Sequence, residues 1–474
     1  MRGQGLVLCA VFVPLLGAFL LPFIGKRSVK LRNLLALAFV AIAFIASVAM
    51  LPGAMANAPV SVKVSLPLGF SFGFLADSLA VFMAMASSLL GTIIVFYSIG
   101  YIAHYENQNE YYMIVVMFLG AMMGLVYSTN LLFIYLFWEI SAIACWRLIG
   151  FFREKYIIRR ADKAFLITVG GALVMLIGFI MIYNQTGTFD LTEMDSPVIS
   201  NIAMLFILFG ILSKSATLPF HSWLADAGVA PSPVTSLLHA AVLVKIGVYV
   251  FARIFLVTIS YDPIWYTIIP IIAAVSALVS AGVALVETDL KRIIAYSTVS
   301  QLGFILLGLS CGTEVGIAGA LLYILMHGLA KGGLFLCAGV VEHATHTKDV
   351  RKLGGLAKNM PLTAMAFLLC SFSVMGIPPF GGFFSKHMVI SGAVMADQPW
   401  IAFTFILGAV LTVIYLLRAF VLVFMGECNY PDAKEGTWHM TSSVVALAFI
   451  SLLAGIFINV PSGIVQSIMH MMGW

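Results

Sequence analysis

The sequence predicts an all-α polytopic membrane protein, and three observations predict it. Of its 474 residues, 62% are hydrophobic and only 9% are charged, whereas an ordinary soluble domain is about 25% charged. Apolar runs of the length a helix needs to cross a bilayer recur along the whole chain. The Lys and Arg residues between those runs gather on alternate loops, as the positive-inside rule requires.

About fourteen transmembrane helices are expected, at residues 5–25, 32–52, 76–102, 112–129, 131–151, 162–183, 200–226, 232–257, 263–287, 292–311, 315–341, 361–395, 399–426 and 440–460. The first lacks a small-x-small cleavage pattern and runs into the basic stretch Lys26–Arg32, so it is expected to be a retained helix and not a signal peptide. Asp77 opens the third as an expected N-cap. The seventh and twelfth carry their own breakers, Leu218-Pro219-Phe220 and Pro378-Pro379-Phe380, 160 residues apart. Lys214 precedes the first break and Lys386 follows the second. A proline inside a helix frees a backbone carbonyl, tolerated at membrane depth only where protein or a water cavity satisfies it.

Interrupted helices in corresponding positions point to inverted repeats with a binding site between them. Two inverted five-helix repeats are expected, helices 4–8 and 9–13. The domains are then residues 1–111 (helices 1–3), 112–257 (first repeat), 258–426 (second repeat) and 427–474 (helix 14 and an interfacial tail from Pro461). With the loop between helices 1 and 2 in the cytoplasm, fifteen Lys and Arg fall inside, Lys291 and Arg292 among them, and only Arg2 and Lys63 outside. That places a multi-pass protein in the cell membrane with both termini on the outer side.

Eight basic residues lie inside the helices. Arg147, Lys163, Arg253 and Arg418 sit within two or three turns of an end and are expected to snorkel to the interface. Lys214, Lys245, Lys331 and Lys386 are central, where each charge costs roughly 2.5–3.5 kcal/mol on insertion scales. Glu139 is the matching central acid, and Lys214 is its expected partner. His327 and Lys331 are four residues apart and share a helix face. His239 and His221 are accessory candidates, whereas His343 and His346 are expected in a solvated loop. Desolvation disfavours the charged form of a buried lysine, and histidine titrates near neutral pH. A set of this kind is suited to passing protons, from Lys214 to Lys245, across to His327 and Lys331, and out at Lys386.

Several other chemistries are excluded. The six cysteines are scattered without a CxxC pair, which argues against a metal site, an iron–sulfur cluster or a disulfide framework. There is no P-loop and no GxGxxG motif, so no nucleotide cofactor is expected. The net charge of +5 reads as loop charge that sets topology, not as a nucleic-acid surface.

The stretches Pro219–Ala227, Ala230–Ala240 and Val244–Tyr249, with Met326–Lys331 and Gly376–Lys386, resemble the signature of the antiporter-like subunits of respiratory complex I. The same superfamily holds Mrp-type cation/proton antiporter subunits, the D-type among them, and the membrane subunits of energy-converting hydrogenases. The similarity covers about residues 70–425. It implies fourteen helices with two inverted five-helix repeats. It also implies Glu139 and Lys214 as an interacting pair, Lys245 as central relay, His327 and Lys331 as the link between halves, and Lys386 as the terminal proton group. Some complex I members carry glutamate at that last position, and many members read Leu-Pro-Asp where this chain has Leu224-Ala225-Asp226. The expected function is a proton-translocating subunit of a multisubunit complex, without a redox site of its own. Its partners would be other membrane subunits and the lipid bilayer, and its cargo protons, with Na+ as a further candidate. The competing expectation is a self-sufficient single-chain cation/proton transporter.

Overall fold

The structure, a computed structural model, describes residues 2–67 and 71–474. Among these, twelve helices are long and apolar enough to cross a membrane: α1 (Gly3–Gly25), α2 (Val29–Met55), α3 (Ser78–His104), α4 (Gln108–Tyr127), α5 (Leu131–Ile149), α6 (Lys155–Thr186), α8 (Ser232–Leu256), α9 (Trp265–Val286), α10 (Leu290–Ser310), α11 (Glu314–Thr345), α13 (Pro399–Phe424) and α14 (Trp438–Ile456). Two further segments come in pieces: α7a (Asn201–Lys214) with α7b (Ser222–Asp226), and α12a (Pro361–Met375) with α12b (Gly381–Met395). A last helix, α15 (Asn459–Met471), buries Pro461, Val465, Ile468 and Met469, so the expected interfacial tail is a helix with one face packed.

The sequence reading missed a hairpin. Strands β1 (Val60–Ser65) and β2 (Ser71–Ala76) pair antiparallel, with Val60 opposite Ala76 and Ser65 opposite Ser71. The period-2 alternation of Val60-Ser61-Val62-Lys63-Val64-Ser65 is its signal. Lys63 ties it down by reaching Asp190 and Glu193 beyond α6 at 2.9 and 2.6 Å.

Burial separates the helices into a centre and a rim. The apolar stretch of α8 is 100% buried and those of α10 and α11 are 94% buried, against 33–39% for α1, α2, α6, α13 and α14. The rim helices turn large apolar side chains such as Leu166, Ile177, Phe403 and Phe449 outward, as a lipid-facing surface requires. The central helix α11 touches α3, α8, α10, both halves of α12, α14 and α15. The charges at its middle are therefore enclosed by protein.

The two breaks share a hydrogen-bond pattern. In the first, Thr217 N donates to Leu212 O and Phe220 N to Thr217 O; in the second, Ile377 N donates to Phe372 O and Phe380 N to Ile377 O. Each bond of the second break lies 160 residues beyond its counterpart. Gly376 ends α12a in the left-handed region at φ 81°, a conformation glycine adopts without Cβ strain.

Helix limits correct three expectations. Helix α11 runs to Thr345, so His343 lies in its last turn and only His346, its left-handed cap, is outside. Helix α6 begins at Lys155, which brings Arg159 and Arg160 into the helix. Helix α10 begins at Leu290, and Lys291 is buried instead of lying in a loop.

Candidate functional site

Lys214, Lys245, Lys331 and Lys386 are all buried, with at most 4% of any of them exposed. Each is held differently, and the differences come from local backbone.

Lys214 ends α7a, and its Nζ donates to the carbonyl of Trp138 on α5 at 3.2 Å while lying 5.2 Å from the Trp138 ring centroid. Glu139 is the next residue along α5. It is half-buried, and its Oε1 has no hydrogen-bond partner. The two groups share one neighbourhood without forming an ion pair within 4 Å. The expected contact is thus a near approach mediated by the α5 backbone.

Lys245 lies in α8 directly after a π-helical turn, Leu237–Ala241, closed by Val242 N donating to Leu237 O at 3.0 Å. Inserted π-turns of this kind are frequent at functional sites. Among the described residues the Lys245 Nζ has no hydrogen-bond partner. It points at Gly328 of α11, where a Cβ would collide with it, so the missing side chain is what makes room for the amine. Gly247, two residues further on, lies against Ser215 at the α7 break, which brings that break close to Lys245.

His327, adjacent to Gly328, is fully buried, and among the described residues neither ring nitrogen has a hydrogen-bond partner. It lies within electrostatic reach of Lys245, Lys331, Lys386 and His239. His239 sits in the π-turn with its ring 4.4 Å from that of Phe335 on α11. Lys331, one turn beyond His327, donates to Ser297 Oγ at 2.5 Å and to Ile294 O at 3.3 Å, both on α10. Lys386 in α12b donates to Val374 O at 2.6 Å and lies 4.6 Å from the Phe304 ring centroid. Val374 is in the last turn of α12a, where carbonyls have no helical partner and the helix dipole favours a cation. Gly382 allows the fold-back, because a Cβ there would run into the carbonyl oxygen of Ser373.

Four of the expected residues, Lys245, His239, Lys331 and Lys386, therefore lie around a fifth, His327. Glu139 and Lys214 form a second group at the first break. His221 belongs to neither. It is half-buried beside Tyr296, near a rim network in which Lys163 and Arg292 both hold Asp226, at 2.8 and 3.0 Å, and Arg292 also holds Glu287 at 2.8 Å.

Three features escaped the sequence reading. Arg253 does not snorkel: it is buried and makes a two-pronged ion pair with Asp77 at 2.5 and 2.7 Å, while Asp77 also caps α3 through Ala80 N. The partners are 176 residues apart, and no spacing signals the contact. Lys291 is paired with Glu342 at 2.5 Å, and Glu342 accepts from Ser232 at the start of α8. The pair borders a cavity of about 370 Å³ also lined by Tyr101, His104, His343 and His346. Finally, Ser297, Gln301, Tyr323, Thr412 and Tyr415 form a buried polar cluster beside Lys331. Its signal is legible afterwards: Ser297 and Gln301 are four apart, and Tyr323, His327 and Lys331 form an i, i+4, i+8 row.

Among the described residues no group of three or more His, Cys, Asp or Glu side chains is placed to hold a metal ion.

Comparison with known proteins agrees with this architecture. Residues 128–412 match the family described as NADH:quinone oxidoreductase/Mrp antiporter, TM, and residues 64–112 match NADH-ubiquinone oxidoreductase (complex I), chain 5 N-terminus. The chain is 36% identical over 438 residues to the A-type Na(+)/H(+) antiporter subunit of Alkalihalophilus pseudofirmus, covering 83% of this chain and 53% of that protein. It is 35% identical over 464 residues to the A-type subunit of Bacillus subtilis, covering 91% of this chain and 58% of that one. The chain thus spans between half and three-fifths of the length of these relatives, which are of the A type and not the D type. By fold it is similar to a chain of the Mrp complex from Dietzia sp. (TM-score 0.90, 22% identity, 99% of this chain and 97% of that one). It is also similar to a chain of respiratory complex I from Thermus thermophilus (TM-score 0.86, 23% identity, 99% of both). A match that runs through both interrupted helices and all four buried lysines places this chain in the NADH:quinone oxidoreductase/Mrp antiporter transmembrane family.

Proposed function

We propose that this chain is the proton-translocating, cation/proton-antiporting membrane component of a multisubunit complex in the cell membrane. Other membrane subunits are its partners, and protons and Na+ its cargo. The observation that carries the reading is Lys245: an amine enclosed at the centre of the molecule, with no acceptor, against Gly328 and beside His327. A static ion pair needs a partner when buried. A group that takes up and releases a proton needs neighbours that come and go.

In this reading the proton path runs from Glu139 and Lys214 past the first break to Lys245, through His327 and Lys331, and out at Lys386. His239 and His221 are accessory. The chain crosses the bilayer fourteen times, counting α7 and α12 as one crossing each, in two inverted repeats, helices 4–8 and 9–13. The domains are residues 1–111, 112–257, 258–426 and 427–474, with both termini on the outer side. The matching hydrogen bonds of the two breaks support the repeat, and the Lys/Arg asymmetry of the loops supports the sidedness. On that sidedness the His104, His343 and Glu342 cavity opens to the cytoplasm, where it gives protons access to the start of α8. No redox step is assigned to this chain.

The test is proton and Na+ flux in inverted membrane vesicles carrying the chain with the proteins it co-purifies with. Lys245→Ala is expected to lower coupled flux by about 100-fold, the scale of a lost proton-transfer group. Unchanged flux would overturn the relay. A chain that purifies alone and still exchanges protons for cations would replace the complex with a self-sufficient transporter.

A further inference from the structure

The polar cluster beside Lys331 is made of two hydroxyl chains that meet at one amide. Lys331 Nζ donates to Ser297 Oγ, and Ser297 Oγ shares a hydrogen bond of 2.6 Å with Tyr415 Oη that either hydroxyl can donate. Tyr415 donates to Thr412 Oγ1 at 3.3 Å, and Thr412 donates to Gly408 O at 2.7 Å. A backbone carbonyl has no hydrogen to hand on, and the chain stops there. From the other side, Tyr323 donates to Gln301 Oε1 at 2.6 Å. The Tyr323 ring lies 5.7 Å from Lys386 Nζ and 6.0 Å from the His327 ring.

Gln301 stands between the two chains. Its Nε2 donates to Thr412 Oγ1 at 3.2 Å and to Tyr415 Oη at 3.4 Å. The orientation of the amide follows from Thr412: that hydroxyl hydrogen is committed to Gly408 O, so it presents a lone pair, and the group facing it must be a donor. All five side chains, the amide included, are fully buried.

An amide in this position joins the two phenols without conducting between them. A proton delivered to Oε1 could leave only from Nε2, and loss from nitrogen leaves the imidic acid tautomer, which must revert before the next transfer. A carboxylic acid or an imidazole takes a proton on one atom and releases one from another without leaving its stable forms. We propose that Gln301 is a positioning residue that insulates Lys331 from Lys386. Protons do not pass by the Ser297–Tyr415–Tyr323 route, and exchange between the two lysines is confined to His327. The proposal rests on the relay reading above. Its consequence is that Lys331 can be bonded to its hydroxyl partner without opening a leak towards the terminal lysine.

The experiment is passive proton leak in inverted vesicles containing the assembled complex. A pH gradient is imposed without Na+, and its decay is followed with a pH-sensitive dye. Gln301→Glu and Gln301→His supply a conducting group of similar size and are each expected to speed the decay by at least about tenfold. Gln301→Met fills the space without conducting and is expected to decay like the unaltered protein. Two relay-capable variants are used so that one that fails to assemble does not remove the test. Decay at the unaltered rate in an assembled Glu or His variant overturns the proposal, and so does a Met variant that leaks as fast as they do. Lys331→Ala is run in parallel. Full coupled flux there would sink the relay reading and this proposal together, whereas a dead Lys331→Ala beside a tight Gln301→Glu would sink only the insulation.

Discussion

Helix α8 carries two buried cations eight residues apart, and they are held in opposite ways. Arg253 has both prongs of its guanidinium on Asp77 and its Nε on Tyr249 Oη, so every face of the charge is occupied. Lys245 has no acceptor and only an absent side chain, that of Gly328, to give it room. A fork of fixed geometry that stays protonated at any physiological pH is suited to a permanent bond. A single ammonium on a flexible stem is suited to gaining and losing a proton. One helix thus has a fastened end and an unfastened middle; the π-turn Leu237–Ala241 lies just before Lys245, and the π-turn Ala252–Leu256 contains Arg253.

The largest effect that would sharpen this contrast is at the working residue. Lys245→Arg keeps the charge and removes the titration, so coupled flux should fall by about 100-fold, as for a lost proton-transfer group. The melting temperature of the detergent-solubilised complex should hold or rise on Lys245→Met. Retained flux in the Arg variant would mean that the charge alone suffices. At the fastened end the order reverses. Arg253→Met leaves Asp77 buried without its cation, and should cost about 3–5 kcal/mol of stability, much of it recovered in the Arg253→Met/Asp77→Asn double variant, which removes the charge and keeps the cap. Equal melting temperatures for the single and double variants would show that the pair does not hold the helix end.

A smaller effect is expected where the two helices meet. Gly328→Ala puts a methyl group at the Lys245 Nζ, the movable end of a side chain, so the fold should persist while flux drops about 5-fold, near 1 kcal/mol in the barrier. The smallest concerns the hairpin. Burial would raise the Asp190 carboxyl, but hydrogen bonds from Lys63, Thr192 and Ser71 outweigh it and hold it below the usual carboxylate range. A lowered carboxyl contributes stability above its unfolded pKa and loses it as pH falls through the folded one. Hydrogen exchange in β1 and β2, corrected for the intrinsic rate, should therefore be independent of pH near neutrality and rise in acid, below the ordinary carboxylate range. Exchange that stayed slow through that range would separate the hairpin from Asp190.

The sequence was most legible where physics acts on composition. Apolar runs gave the helices, and the two Pro-Phe breaks gave the interruptions, because bilayer length and the proline ring act locally. The four central lysines stood out for the same reason: a charge in an apolar run is costly wherever it lies. What stayed hidden was pairing across long separations. Asp77 looked like an N-cap and is one, yet its second role depends on a residue five helices later. Lys291 looked like loop charge because helix ends are set by caps, here Asp289 accepting from Arg292 N, and not by hydropathy. Hydroxyls such as Ser297 and Tyr415 stand out in no window of sequence, and only the packing of α10 on α13 brings them together.

The rim network of Lys163, Asp226, Arg292 and Glu287 joins α6 and α7b to α10. Its members are partly open to solvent, so ordinary salt reaches them. The screening length is about 10 Å at 0.1 M ionic strength and shrinks as salt rises. This clasp of α6 and α7b on α10 is therefore tightest in dilute surroundings and loosens in brine, which makes ionic strength on that face a control on how firmly these helices are held together.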